Sequence, residues 1–182
     1  MKYGDIYCDM DGVLVDFING VKQQTGYDWN VSAKNKEEKR LRGNLAFESG
    51  SQFWIDLPPM RDYETLWSYI APRNPYVLTA VPRGFEGETP TETSMRYARE
   101  GKWIWCQQRI QIPKDRFLAV MREEKKLWAT SVVDNEILPN VLIDDHAQNI
   151  SEWIANRGIG ILHTTAEDTI KQLQKLVSHN EY

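Results

Sequence analysis

Five short apolar runs recur along the chain, each followed by polar residues and then by a longer periodic segment. They read DIYCDM (5–10), YVLTA (76–80), FLAVM (117–121), VLIDD (141–145) and GIGILH (158–163). Runs of this length, rich in Val, Ile and Tyr, predict buried strands rather than helices. The segments between them carry helical periodicity. TETSMRYAREGKWIWCQQR (91–109) places Met95, Ala98, Trp105 and Cys106 on one side. TTAEDTIKQLQKLV opens with Thr164 and Glu167 at capping-box spacing, then sets Ile170, Leu173, Leu176 and Val177 on one face. Strands alternating with helices predict an α/β fold, with a parallel sheet covered on both faces. Ligands of such sheets sit beyond the carboxyl ends of the strands. Asp9, Thr79 and Asp144 all fall at those ends.

The first and second runs are too far apart for a simple crossover. Helix-like and turn-like pieces fill the gap: KNKEEKRLRG, FWIDLPPM and YETLWSYIA. Residues 17–74 are therefore expected to form a small helical cap, inserted into a core of residues 1–16 and 75–182. A chain of 182 residues favours one domain with an insertion over two independent ones.

Composition narrows the class. The net charge is −4 with acids and bases mixed, which argues against a nucleic-acid surface. The densest basic stretch, residues 34–42, also carries Glu37 and Glu38 and reads as a solvated helix face. Two cysteines far apart, Cys8 and Cys106, suit free thiols in a reducing compartment. No signal-peptide pattern opens the sequence, and no run approaches membrane-spanning length. A soluble cytoplasmic protein is the expectation, with a homodimer left open.

The chemistry concentrates in IYCDMDGVLVDF (6–17), where Asp9 and Asp11 close an apolar run and Gly12 allows the chain to turn away. Two carboxylates about 4 Å apart, at an effective dielectric of about 20, repel by roughly 4 kcal/mol. Asp144 and Asp145 end another predicted strand, although Asp145 also suits a helix cap. Up to four carboxylates would then converge, and a hard cation such as Mg²⁺ with a substrate phosphate would complete the cluster. Thr79 offers a hydroxyl to a phosphate oxygen. Lys125 and Lys126 both follow FLAVMREE, and either could offset phosphate charge. Helical spacing to Trp128 and Ala129 favours Lys125. His146 beside the acids reads as a helix-opening residue, and Cys8 as a small buried strand residue.

In order, DMDGV (9–13), Thr79, Lys125 and IDD (143–145) resemble the four motifs of the haloacid dehalogenase superfamily. The resemblance implies a Rossmann-like core with a cap after the first motif. It implies Asp9 as a nucleophile forming an aspartyl-phosphate, and Asp11 as the acid and then the base. Thr79 and Lys125 would hold phosphoryl oxygens. Mg²⁺ would be held by Asp9, the Asp11 carbonyl and Asp144, helped by Asp145. Dehalogenase members lack the second acid, so Asp11 favours a Mg²⁺-dependent phosphatase. Receiver-type phosphoacceptor domains also combine aspartates, a Thr and a Lys, but lack that second acid and a large cap.

DMDGVLVDF, FWIDLPPM (53–60) and KWIW (102–105) further resemble segments of the 5′(3′)-deoxyribonucleotidases. This implies a phosphomonoesterase acting on (deoxy)nucleoside monophosphates, with Phe17, Phe53 and Trp54 around the base and Lys102 approaching the phosphate. The second motif departs from the family's usual Thr-Ser. Here it is Thr79-Ala80, with Pro82 and Arg83 following, so Ala80 lines the phosphate site without a hydroxyl. Arg83 is a candidate replacement contact.

Overall fold

The structure is a computed structural model and describes residues 2–29, 31, 34–35, 37–38, 50–82 and 92–178. Arg83, His179 and most of the basic stretch at 34–42 lie outside the described residues. Five parallel strands form one sheet: β1 (Ile6–Cys8), β2 (Tyr76–Ala80), β3 (Phe117–Val120), β6 (Val141–Asp144) and β7 (Ile159–Leu162). Their spatial order is β3-β2-β1-β6-β7. All five apolar runs are strands, so the expected α/β architecture is present.

Among the described residues, the segment between β1 and β2 carries α1 (Phe17–Thr25), α2 (Ser51–Ile55) and α3 (Tyr63–Ile70). Helix α4 (Glu92–Arg109) joins β2 to β3, α5 (Ala147–Ala155) joins β6 to β7, and α6 (Ala166–Ser178) follows β7. The chain moves outward on one side of β1, then returns to build β6 and β7 on the other. That reversal makes the gap between β1 and β6 the switch point, where a crevice opens at the strand ends.

The central strands β1, β2 and β6 are buried because both sheet faces are covered, while the edge strands β3 and β7 are mostly half-buried. Ile6, Cys8, Val77, Val141 and Ile143 belong to one apolar cluster with Leu66, Ile70, Ala98, Trp105 and Leu173. Tyr7, Leu78 and Leu142 pack with Ile150 and Trp153 on the other face. Helix α6 begins one residue later than the capping-box expectation: Thr165 Oγ1, not Thr164, accepts from the Asp168 N–H at 3.2 Å. Asp62, just before α3, accepts from the Ala166 N–H at 2.6 Å and ties this end of α6 to the segment between β1 and β2.

An element not anticipated from the sequence is the antiparallel hairpin of β4 (Thr130–Val133) and β5 (Glu136–Pro139). Its turn residues Asp134 and Asn135 have φ values of 51° and 65°. Two consecutive left-handed residues mark the tight hairpin turn that matches strand twist.

Candidate functional site

Register brings the acids level. Cys8 pairs with Ile143, so Asp9 and Asp144, one residue on, end neighbouring strands side by side. The Asp9 N–H donates to the Ile143 carbonyl at 2.8 Å and fixes that alignment. After Asp9 the chain closes a tight loop: the Leu14 and Val15 N–H groups donate to the Met10 carbonyl at 2.8 and 2.9 Å. Gly12 sits in that loop at φ 77°, and a Cβ there would lie 2.1 Å from Asp145 Oδ2. Only glycine gives both the left-handed backbone and the space for the Asp145 carboxylate.

Of the two candidate lysines, Lys125 is the buried one, 2 % exposed. It lies in a 3₁₀ segment, Arg122–Trp128, rather than an α-helix. Its Nζ donates to Asp9 Oδ1 and Asp144 Oδ2, each at 2.8 Å. The Met10 N–H also reaches Asp9 Oδ1, at 2.7 Å. Asp144 is held further by the Asn149 amide, 3.0 Å from both its oxygens, and by the His146 N–H at 2.9 Å. Arg122 in turn donates to Asn149 Oδ1 at 3.0 Å. His146 contributes its backbone while its side chain is exposed.

Asn149 and Arg122 were missed in the sequence. Their signal was weak: Asn149 shares the inward face of α5 with Ile150 and Trp153, where a polar residue needs a partner.

The electrostatics of the cluster follow from its burial. Burial, with Asp144 and Asp11 adding to it and Lys125 opposing, pushes the Asp9 carboxyl up to about 8. Burial works to lower the pKa of Lys125, yet Asp9 and Asp144 override it and hold the ammonium above its ordinary value. Burial and Asp144 also raise Asp145. Oxygens of Asp9, Asp144 and Asp145 all lie within 4.8 Å of one another. Three carboxylates against one ammonium is a hard-oxygen donor set with surplus negative charge, which fits a divalent cation such as Mg²⁺.

Asp11 and Lys102 form a second group. Lys102 on α4 is fully buried and donates to the Asp11 carboxylate, to Thr79 Oγ1 at 2.8 Å and to the Ala80 carbonyl at 2.8 Å. Thr79 accepts this bond through its oxygen and keeps its O–H for donation. Asp11, Gly12, Asp16, Phe17, Ile18, Met60 and Asp145 line a cleft of about 320 Å³. A larger groove of about 880 Å³ borders Arg96, Trp103 and the edge of β3, and none of the clustered aspartates lines it.

The aromatic residues separate. Phe17 lines the cleft and is half-buried, whereas Phe53 and Trp54 are each 2 % exposed and pack into the core behind it. Phe17 lies 6.0 Å from the Trp54 ring and 5.7 Å from that of Trp29. The structure therefore brings together Asp9, Asp11, Thr79, Ala80, Lys102, Lys125, Asp144 and Asp145. It leaves only Phe17 of the three aromatics at the cleft wall.

Both cysteines are buried free thiols, with Cys8 Sγ 3.3 Å from the Asp9 carbonyl. No helix among the described residues is long and apolar enough to cross a membrane.

No family model matches the chain, and no curated protein matches it. Among solved structures, a hydrolase from Streptococcus pneumoniae TIGR4 is similar at 13% identity over 98% of this chain and 100% of that one, with a TM-score of 0.47. The L-2-haloacid dehalogenase from Xanthobacter autotrophicus is similar at 11% identity over 87% of this chain and 76% of that one, with a TM-score of 0.41. Both are distant likenesses of chain architecture.

Proposed function

We propose that this protein is a Mg²⁺-dependent phosphomonoesterase that works through an aspartyl-phosphate on Asp9. One observation carries this reading. The bonds from Met10 and Lys125 to Asp9 both fall on Oδ1, which leaves Oδ2 as the attacking oxygen. Asp11 lies two residues on, at the cleft. Asp9, Asp144 and Asp145 would hold the cation, with the Asp11 carbonyl as the motif resemblance implies. When bound, Mg²⁺ offsets the carboxylate charge and draws phosphoryl oxygens to the site.

In the first step, Asp9 Oδ2 bonds to phosphorus and the bond to the ester oxygen breaks. The Asp11 carboxyl protonates that oxygen, so the product leaves as an alcohol. In the second step, the Asp11 carboxylate takes a proton from water as the water oxygen bonds to phosphorus. The bond from Asp9 to phosphorus then breaks, orthophosphate departs and Asp11 regains its proton. The Thr79 O–H and the Lys125 ammonium steady the phosphoryl oxygens throughout.

The substrate we propose is a nucleoside monophosphate, particularly a deoxyribonucleotide. The motif resemblance supports it, and Phe17 offers the cleft an aromatic surface. A second reading keeps the chemistry but takes another small phosphate ester. It is favoured by the modest cleft of about 320 Å³ and by the burial of Phe53 and Trp54.

A panel of deoxyribonucleoside monophosphates and simple phosphate esters, assayed for phosphate release with Mg²⁺, separates the two. Asp9→Asn should lower release at least about a thousandfold, and Asp11→Asn by roughly 10²–10⁴-fold. A chelator should stop it. Turnover confined to non-nucleotide esters selects the second reading, and unchanged activity in Asp9→Asn removes both.

A further inference from the structure

Helix α4 carries a lysine where its apolar face runs. Lys102 is fully buried, as are Ala98, Trp105 and Cys106 of the same helix. An ammonium has three protons and no acceptor. Those of Lys102 are spent on Asp11 Oδ2, Thr79 Oγ1 and the Ala80 carbonyl. All three are engaged within the protein. What the lysine does hold is the carboxylate of Asp11, 91 residues away in sequence.

Two further contacts connect that hold to α2. The Trp54 ring centre lies 4.9 Å from Lys102 Nζ, within cation–π range. Gly101, the preceding residue, is where α2 and α4 touch: a Cβ there would meet the Ser51 carbonyl at 2.4 Å and Trp54 Cβ at 2.5 Å. The absent side chain lets α2 press Trp54 against the lysine. A continuous line of contact therefore runs from Trp54 through Lys102 to Asp11.

At the far end of that line, the Asp11 carboxylate is held by one oxygen. Its other oxygen, Oδ1, is buried with no hydrogen-bond partner, while the side chain as a whole is 29% exposed at the cleft. A buried acceptor without a partner calls for a donor. A hydroxyl product or a hydrolytic water supplies one.

We propose that Lys102 is a positioning residue that anchors Asp11 by Oδ2, commits Oδ1 to the leaving-group proton, and takes its own placement from Trp54 on α2. The proposal rests on the phosphomonoesterase reading and assigns Lys102 a role apart from phosphate binding. Its signature lies in how rate depends on the leaving group. An alkoxide needs its proton at departure, whereas 4-nitrophenolate leaves without one.

The experiment compares kcat/KM of wild type and Lys102→Met, with Mg²⁺, on a deoxyribonucleoside monophosphate and on 4-nitrophenyl phosphate; kcat/KM reports the steps through departure of the leaving group and leaves out the hydrolysis that both esters share. The expected result is a kcat/KM loss of about 100-fold or more on the alkyl ester and under about 10-fold on the aryl ester. Equal losses of kcat/KM on the two esters would overturn the proposal. Trp54→Phe keeps an aromatic ring and tests the α2 link; it also carries the comparison if Lys102→Met does not fold. It should show the same bias towards the alkyl ester at smaller size, and no bias overturns that link. A crystal structure of the folded variant gives a readout free of activity. Asp11 should turn away from Thr79 and Ala80, and an unmoved Asp11 would reject the role. If wild type releases phosphate from neither ester, the phosphomonoesterase reading fails, while that crystal structure still decides whether Lys102 positions Asp11.

Discussion

The two buried lysines beside the Asp9–Asp11 turn make opposite electrostatic environments from one residue type. Lys125 bridges carboxylates at the ends of β1 and β6, with a third nearby, so its side of the site carries surplus negative charge. Lys102 faces one carboxylate, one hydroxyl, one carbonyl and an aromatic ring, and its charge is matched. Burial alone therefore says little about what a lysine does. The count of acids around it separates a cluster with unmatched negative charge from one whose charges balance. The first suits the proposed cation; the second holds a geometry.

The strongest way to break this contrast is to remove each lysine in turn. Lys125→Met leaves Asp9 and Asp144 buried and facing each other, and should cost about 3–5 kcal/mol in urea unfolding. Lys102→Met should cost less, because Asp11 is partly exposed and can recover water. Equal losses would erase the distinction.

A smaller effect sharpens it from the metal's side. Mg²⁺ at about 100 times its dissociation constant should stabilise the wild type by about 2.7 kcal/mol, read by thermal unfolding. Asp144→Asn and Asp145→Asn should lose that gain, while Lys102→Met should keep it. Retention of the full shift in both aspartate variants would mean that the cation binds elsewhere.

The smallest test uses a buried imidazole. His163 is 4 % exposed and bonds Thr169 Oγ1 at 2.8 Å. Burial lowers its pKa below the ordinary 6.5, against an opposing pull from Asp62. The unfolded chain takes up the proton first. Its contribution is therefore complete above pH 6.5 and is lost as pH falls below that value, through the lower folded pKa. Urea midpoints at about pH 5.5 and about pH 7.5 should differ less in His163→Gln than in wild type. An unchanged difference would show that His163 already carries a proton, like the two lysines.

The five strands were legible because each is a short apolar run; the central three are buried on both faces and the edge pair is half-buried. The β4–β5 hairpin was not, since Val132 and Ile137 are 72% and 65% exposed and present no buried face to signal a strand. Its only local sign was Asp134-Asn135, a two-residue turn. Asp9 and Asp144 stood out as acids ending apolar runs. Lys102 was visible as a polar intruder on a helix stripe, but its partners were not, because helical spacing carries no information across 91 residues. Phe53 and Trp54 show the converse limit. A sequence marks an aromatic residue without saying whether it lines a wall or fills the space behind one.

The central place of β1 also bears on how the chain folds. Its neighbours are Tyr76 and Val77 on one side and Val141 to Ile143 on the other. Contacts so distant in sequence form slowly. During synthesis, Asp9 emerges before Asp144 and has no such neighbour until β6 has left the ribosome. A nascent chain stalled before residue 141 would hold the proposed nucleophile and acid without the second strand that completes their setting, so acquisition of the site should coincide with closure of the sheet.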